Sequence, residues 1–198
     1  MVRSKRAPSG AAVLREDVTV SLRRALFEEW ATTGYDALSL ERVASRAGVG
    51  KAALYRRWPS KREFASDSLR TIALSATPVP DTGSLEGDIR TWLRAVLRLL
   101  RRPLVRAILP DLHAHSARNG DLAPVQAELA STRRRRAEQL IDRAIDRSEL
   151  SGSVDRELCL DILAAPLYWR LIVVSGACGP ARLERLVSAT VAAVRAAG

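Results

Sequence analysis

Apolar residues recur along this chain at steps of three and four positions, the spacing that places them on one face of an α-helix. No stretch shows the alternation of apolar and polar positions that is typical of β-strands. We therefore predict an all-α protein with about nine helices. The stripe of the first helix is formed by Leu14, Val18, Leu22, Ala25, Leu26 and Trp30. Later stripes predict helices over 85–100, 122–147, 155–175 and 180–196.

Two short helices joined by a glycine turn are predicted after the first helix. Gly34 suits the C-terminal end of that helix, and Ser39 suits the N-cap of a second helix running to about Ala47. Gly48 permits the tight turn before a third helix over about Gly50–Trp58. This arrangement predicts a helix-turn-helix, which places its second helix in the major groove of DNA.

Prolines divide the rest of the chain. Pro59 ends the third helix, and Ser60 with Glu63 forms a capping box that starts a fourth. The segment 77–84 is rich in turn residues and reads as a linker. Pro103 and Pro110 are expected to bracket a short sixth helix, and Pro166 is expected to kink the helix that contains it.

The chain is strongly basic, with a formal net charge of +10 and a sequence pI near 10.8. Most of the positive excess lies within residues 1–66. Such a balance favours nucleic acid or an anionic membrane surface as partner. No apolar run reaches the length of about 18 residues that a membrane span needs, and the basic N-terminus has no apolar segment behind it. We expect a cytoplasmic protein without a membrane partner.

Residue types that carry catalysis or bind metals are sparse. Cys159 and Cys178 lack the spacing of a zinc site and are too few for a disulfide framework, so buried free thiols are expected. His113 and His115 are two positions apart and do not share a helix face, so no metal site is expected. We find no nucleophile–base pairing and no phosphate-binding glycine loop, and therefore expect no cofactor and no enzyme activity.

The third predicted helix carries side chains suited to a DNA groove. Lys51 can donate to guanine O6 and N7, and the Ala52 methyl group can contact a thymine methyl group. Tyr55, one turn later, can donate to a phosphate oxygen, and Arg56 can reach a base or a phosphate at the groove edge. Lys61 opposes the dipole of the fourth helix, which a phosphate docked at that terminus would explain.

This segment resembles the DNA-binding domain of TetR/AcrR-type transcriptional regulators. The resemblance implies that Ser39, Tyr55 and Lys61 contact phosphates and that Lys51, Ala52 and Arg56 read bases. Gly50 and Ala53 stand where the family often has hydroxyl residues, so sequence readout depends on few side chains or on DNA shape. The residues that carry the resemblance are Gly34-Tyr35, Ser39, Val43-Ala44, Ala47-Gly48-Val49, Leu54-Tyr55, Trp58 and Ser60-Lys61.

The resemblance also implies a larger helical domain for ligand sensing and dimerisation. The predicted organisation is a disordered basic arm over 1–11, a three-helix DNA-binding domain over 12–65 and this second domain over 66–198. The arm either enters a minor groove or serves as a solubilising tail. The last two helices are expected to pair with those of a second subunit through Leu158, Ile162, Ala165, Leu183, Leu186, Val187, Val191 and Val194.

An effector pocket is expected inside the second domain, although each candidate is individually more typical of plain core. The run Arg133–Arg136 reads as a solvated or ion-paired face, with an anionic ligand as the alternative. The candidate lining consists of Leu69, Trp92, Val96, Leu100, Ile108, Leu112, His113, Leu129 and Trp169.

The leading hypothesis is a homodimeric, ligand-responsive repressor that binds a palindromic DNA operator and is released or retuned by a small, largely apolar effector. The alternative is a constitutive or architectural dimeric DNA-binding protein without an effector.

Overall fold

The computed structural model describes residues 10–74, 79–118 and 120–198, and these residues form helices without a β-strand. This confirms the predicted all-α class. The helices are α1 (Gly10–Thr33), α2 (Leu40–Arg46), α3 (Lys51–Arg57), α4 (Lys61–Leu74), α5 (Leu85–Leu100), α6 (Pro103–Ala117), α7 (Ala123–Asp146), α8 (Arg156–Tyr168) and α9 (Pro180–Arg195). A π-helical turn, Trp169–Val173, follows α8 directly.

The chain divides into two compact units, Met1–Thr71 and Ile72–Gly198. The boundary falls inside α4, six residues beyond the predicted end of the DNA-binding domain. The predicted basic arm lies largely outside the described residues, and α1 begins at Gly10, where the arm was expected to continue to residue 11.

The core of the first unit forms where α1 meets the helices that follow it. Leu22, Leu26 and Trp30 of the predicted stripe are buried, together with Tyr35 and Phe64. The chain leaves α1 through Gly34, which has a φ of 77° and donates its N–H to the carbonyl oxygen of Trp30 at 2.9 Å. A residue with a Cβ atom would be strained at this φ, and therefore the glycine sets the direction of the chain towards α2.

The core of the second unit is built from α5, α7, α8 and α9. The start of α8 lies beside the end of α9, where the N–H of Asp155 donates to the carbonyl oxygen of Ala197 at 2.8 Å. Cys159 and Cys178 are free and buried in this core, as predicted, and burial raises the pKa of the Cys159 thiol. Neither cysteine has the exposure that a reactive thiol needs.

The two prolines inside helices differ in their effect on the helix that contains them. Pro110 was expected to end a short helix, but α6 continues through it to Ala117. Ile108 and Leu112 on either side of Pro110 are buried, so tertiary packing of the apolar face compensates for the missing backbone hydrogen bond. Pro166 lies within α8, and the helical geometry changes from α to π three residues later.

A buried carboxylate joins α5 to the end of α7. Asp88 is fully buried, and its Oδ1 accepts hydrogen bonds from the backbone N–H and the hydroxyl group of Thr82 at 2.6 and 2.8 Å. Its Oδ2 accepts from Arg147 at 2.9 Å. Arg147 also pairs with Glu149, which accepts from the N–H of Leu85 at the start of α5. The N-terminus of α5 is therefore held by charged side chains at and just after the C-terminal end of α7.

Among the described residues, none of the helices has both the length and the apolar character needed to cross a membrane.

Candidate nucleic-acid interface

The turn between α2 and α3 has the geometry of a helix-turn-helix. Gly48 has a φ of 66° and donates its N–H to the carbonyl oxygen of Ser45 at 3.1 Å. The N–H of Val49 then donates to the carbonyl oxygen of Ala44 at 2.9 Å. Leu54 of α3 is fully buried, so the opposite face of that helix is directed outward. This confirms the predicted turn and gives α3 the position of a recognition helix.

A buried acid, which the sequence analysis did not single out, attaches α2 to α1. Glu29 of α1 is only 2% exposed, and its carboxylate binds Arg42 and Arg46 of α2. Arg42 also donates to the carbonyl oxygen of Ala37 at 2.7 Å. Arg42 occupies the position where a capping-box acid would be expected, and its side chain contacts α1 instead. The signal was present, since Glu29 lies within the apolar stripe, three residues after Leu26.

The outward face of α3 carries the predicted base-reading residues. Lys51, Ala52 and Arg56 are all exposed, and Tyr55 is 39% exposed. Arg57, in contrast, lies over the ring of Trp58 at 5.3 Å from the ring centroid, an interaction within the unit. α3 thus presents two cations, a methyl group and a phenol on one surface of the first unit.

Three of the residues expected to contact DNA converge on one carboxylate, that of Glu41. Tyr55 donates its hydroxyl to Glu41 Oε1 at 3.0 Å, and Ser39 donates to Oε2 at 3.0 Å. Lys51 Nζ lies 3.9 Å from Oε1. A hydrogen bond with backbone N–H lowers the pKa of Glu41, and the bonds from Tyr55 and Ser39 lower it further. The bond between Tyr55 and Glu41 also raises the pKa of Tyr55. Glu41 is therefore an ionised acceptor among the residues that are expected to contact DNA.

Lys61 holds the loop between α1 and α2. Its ammonium group donates to the carbonyl oxygens of Tyr35 and Asp36 at 2.8 and 3.0 Å, and lies 4.6 Å from the centroid of the Tyr35 ring. These contacts offset the unfavourable placement of a cation at the N-terminus of α4, which the sequence analysis assigned to a docked phosphate. We therefore assign Lys61 a structural role in the DNA-free protein.

The predicted pocket residues separate into three groups. Leu100, Ile108 and Leu112 are buried core residues of the second unit, and Leu69 belongs to the first unit. Trp169 is 61% exposed, so it lies on the surface and does not line an enclosed pocket. The remaining candidates are half-buried residues of α5, α6 and α7: Trp92, Val96, His113 and Leu129.

The second unit contains buried and half-buried polar side chains that the apolar pattern did not reveal. Gln126 Nε2 lies 2.8 Å from His113 Nδ1, and the His113 ring meets Tyr168 edge-on at 5.6 Å. Burial, followed by the charge of Arg133, lowers the pKa of His113. Trp92 Nε1, Ser116 Oγ and Gln126 Oε1 are buried without a hydrogen-bond partner among the described residues.

Arg133 of α7 is a charged residue that acts on His113. Burial lowers the pKa of Arg133, and the charge of Arg133 in turn contributes to the lowered pKa of His113. Arg133 follows Gln126 by seven residues on α7, which places the two on one face of the helix about 10 Å apart along the axis. The neighbouring Arg134 is ion-paired with Glu157 and Asp161 of α8, as the ion-paired interpretation of the arginine run predicted.

The predicted dimer residues also separate by burial. Leu183, Val187, Val191 and Val194 of α9 are buried in the core of their own subunit, so these side chains do not face a partner. Leu186 is half-buried. An exposed apolar stripe remains on α8 and the π-helical turn, formed by Leu158, Ala165, Trp169 and Val173, with the half-buried Ile162 between them.

The described residues contain no cluster of three potential metal ligands. His113 is bonded to Gln126, and His115 lies 2.9 Å from Asp121.

Known proteins share both units. Residues 22–67 match the family model for bacterial regulatory proteins of the tetR family, and residues 79–190 match the tetracyclin repressor-like C-terminal domain. The DNA-binding transcriptional repressor TetR of Mycobacteroides abscessus is 33% identical over 159 residues, 78% of this chain and 81% of that protein.

Solved structures agree with the family models. The crystal structure of the TetR family transcription regulator SCO0332 is 30% identical, with a TM-score of 0.66 over 89% of this chain and 98% of that chain. The flavonoid-responsive regulator FrrA has a TM-score of 0.69 over 90% and 95% of the two chains at 21% identity, which shows a shared fold.

A helix-turn-helix unit followed by a helical C-terminal unit defines a class of DNA-binding transcriptional regulators. The chain belongs to the TetR family of these regulators. The relatives from Bacillus subtilis and Mycobacteroides abscessus are both transcriptional regulators.

Proposed function

We propose that this regulator binds a palindromic operator as a homodimer and represses transcription until a small effector binds its second unit. The observation that carries the dimer is the exposed apolar stripe of α8. Trp169 and Leu158 are 61% and 46% exposed, and such a contiguous surface is costly to leave in water. One helix-turn-helix reads only a half-site, so a dimer also supplies the second reader that a palindrome requires.

The outer surface of α9 supports the same pairing. Ala189 and Ala192 are exposed on this helix, opposite the leucines and valines that enter the subunit core. Small side chains allow helices to approach closely. A four-helix bundle of α8 and α9 from two subunits would bury the stripe and leave the core of each subunit unchanged. The similarity to a named repressor supports repression as the direction of control.

We expect Lys51→Ala and Tyr55→Phe to affect DNA binding differently: the first changes base preference, and the second changes overall affinity. Lys51→Ala removes a base-reading donor, so it is expected to weaken operator binding by about 10-fold and to relax preference at particular base pairs. Tyr55→Phe removes a phosphate contact, so it is expected to weaken binding evenly across sequences. Fluorescence anisotropy with an operator from random-duplex selection, and with single-base variants of it, measures both effects. Uniform weakening by Lys51→Ala would contradict its role as a base reader.

Lys61→Ala is measured beside these two variants, because we assign Lys61 a structural role and not a DNA contact. Because Lys61 holds the loop carbonyls, this variant is expected to lower the melting temperature as well as DNA affinity. If this variant bound DNA more weakly but had the melting temperature of the wild type, Lys61 would instead be a direct phosphate contact.

The effector is proposed to be a small, largely apolar molecule with one polar or anionic end. Its apolar part would pack against the half-buried residues Val96 and Leu129. Its polar end would meet the unpartnered groups of Trp92 and Gln126 and the guanidinium of Arg133. An unpaired buried polar atom costs free energy that a ligand hydrogen bond recovers, which gives the ligand differential affinity for the state that presents the site.

The effector prediction is tested with a panel of apolar carboxylic acids and their methyl esters. Acids are expected to raise the melting temperature and weaken operator binding by about 5–150-fold, while the esters act weakly. Arg133→Leu is expected to remove the preference for acids over esters. Arg135→Ala is the matched control, since Arg135 is bonded to Ser131 and Thr132 of its own helix. A melting temperature indifferent to every compound would instead favour the constitutive or architectural alternative.

A further inference from the structure

The arrangement around Glu41 resembles a bound phosphate in its chemistry. The carboxylate lies on the outward surface of the helix-turn-helix, with an exposed side chain. One oxygen accepts from the phenol of Tyr55, and the other accepts from the hydroxyl of Ser39. The ammonium of Lys51 lies beside the first oxygen, at 3.9 Å. A hydroxyl, a phenol and an ammonium around an oxygen anion are the donors that proteins present to DNA phosphates.

We propose that Glu41 occupies the place of a DNA phosphate in the free protein and competes with the duplex for the two phosphate donors Ser39 and Tyr55. DNA binding then exchanges a carboxylate for a phosphate among the same donors. Each bond gained to the duplex replaces a bond already present within the protein, so the net gain per contact is reduced. The displaced carboxylate also remains near the incoming phosphate and repels it.

The expected consequence is a general reduction of DNA affinity, not a change of sequence preference. Phosphate contacts carry no base information and supply most of nonspecific binding. A resident anion therefore weakens binding to every duplex by a similar factor, and base readers such as Arg56 retain the discrimination. Glu41 would thus limit the fraction of the protein held on nonspecific DNA.

A purely structural role for Glu41 makes a different prediction. Glu41 lies in the first turn of α2, where an acid interacts favourably with the helix dipole and Ser39 caps the helix. If stability were its only role, neutralising Glu41 would lower the melting temperature and leave the affinity of the folded protein unchanged. If Glu41 instead oriented Tyr55 and Lys51 for DNA, neutralising it would weaken binding.

The test compares Glu41→Gln with Glu63→Gln. The glutamine keeps an acceptor for Tyr55 and removes the charge. Glu63 is an exposed acid in the first turn of α4, so its variant removes an equal charge from the first turn of another helix in the same unit. Binding to the selected operator and to an unrelated duplex of the same length is measured by fluorescence anisotropy over a series of salt concentrations.

Glu41→Gln is expected to tighten binding to both duplexes by about 5–20-fold at low salt, with the logarithmic salt dependence steeper by about one counterion. Glu63→Gln is expected to change either affinity by less than about 2-fold. Affinity for the unrelated duplex that is equal to or weaker than that of the wild type, at a matched folded fraction by circular dichroism, overturns the proposal. This test requires neither a palindrome nor an effector, so its failure is distinct from failure of the proposed function.

A double-mutant cycle provides a second measurement that does not depend on the absolute affinity. Tyr55→Phe loses a bond to DNA in both backgrounds, but in the wild type it also removes a competing bond to a charged carboxylate, which is stronger than the bond to the neutral glutamine of the variant. We expect Tyr55→Phe to weaken DNA binding less in the wild type than in Glu41→Gln. Equal losses in the two backgrounds would show that Glu41 and DNA do not compete for Tyr55.

Discussion

A Leu158→Asp, Trp169→Asp double variant is expected to be a folded monomer that binds the operator about 10²–10⁴-fold more weakly than the wild type. Both side chains are exposed in the subunit, so aspartate disturbs little of the core. In the proposed dimer the two charges would instead be buried in an apolar interface, at a cost that a bundle of four helices does not recover. Loss of the dimer removes the second half-site contact from the same binding event.

Sedimentation velocity measures the oligomeric state, and a gel shift on one and two half-sites measures the DNA effect. Val20→Asp is the matched control, because Val20 is also 61% exposed but lies on α1 in the first unit. It is expected to remain dimeric. If the double variant sediments as the wild type does, the α8 stripe is not the dimer interface.

The second large effect is expected from Asp88→Ala, which should lower the free energy of unfolding by about 3 kcal/mol and the melting temperature by about 6–12 °C. Removal of the carboxylate leaves the N–H and hydroxyl of Thr82 without their acceptor in the buried space. It also leaves Arg147 with one fewer partner at the junction of α5 and α7.

Asp142→Ala is the control for this experiment. Asp142 is ion-paired with Arg156 at 2.6 Å, but its side chain is 51% exposed, and exposed pairs contribute about 0–1 kcal/mol. Thermal unfolding followed by circular dichroism compares the two variants. Equal shifts in melting temperature would mean that the burial of Asp88 has no special energetic role.

Local features of the chain were predictable because they depend on a few neighbouring residues. Gly34 and Gly48 have the positive φ that ends one helix and turns into the next. Ser39 caps α2, with its hydroxyl accepting from the N–H of Arg42. Such short-range contacts depend little on the rest of the fold, so the helix-turn-helix and its family resemblance could be recognised from the sequence.

The hydrogen-bond partners of the polar side chains were harder to predict from the sequence. Lys61 has the spacing of a phosphate contact, but its ammonium group is bonded to carbonyl oxygens of residues 35 and 36. Ser39, Lys51 and Tyr55 have the expected exposure, but their shared contact with Glu41 depends on how α2 and α3 cross. A donor that suits DNA equally suits a carboxylate or a carbonyl oxygen of the same unit.

Apolar periodicity shows which residues avoid water but does not show what covers them. The stripe of α9 was expected to face a second subunit, and it packs into the core of its own subunit instead. The stripe of α8 that contains Leu158 and Trp169 remains exposed. In the same way, α6 passes through Pro110 because packing on both sides outweighs the lost hydrogen bond.

The sequence by itself therefore determined the helices, their caps, the glycine turn and the DNA-binding class, because short-range chemistry dictates these features. Only the tertiary structure decided which apolar face of α8 and α9 lies outside. It also decided that Arg42 binds Glu29, that Gln126 lies beside His113, and that Glu41 accepts from Tyr55. These choices depend on contacts between residues distant in the chain, where several partners of similar chemistry compete and packing selects among them.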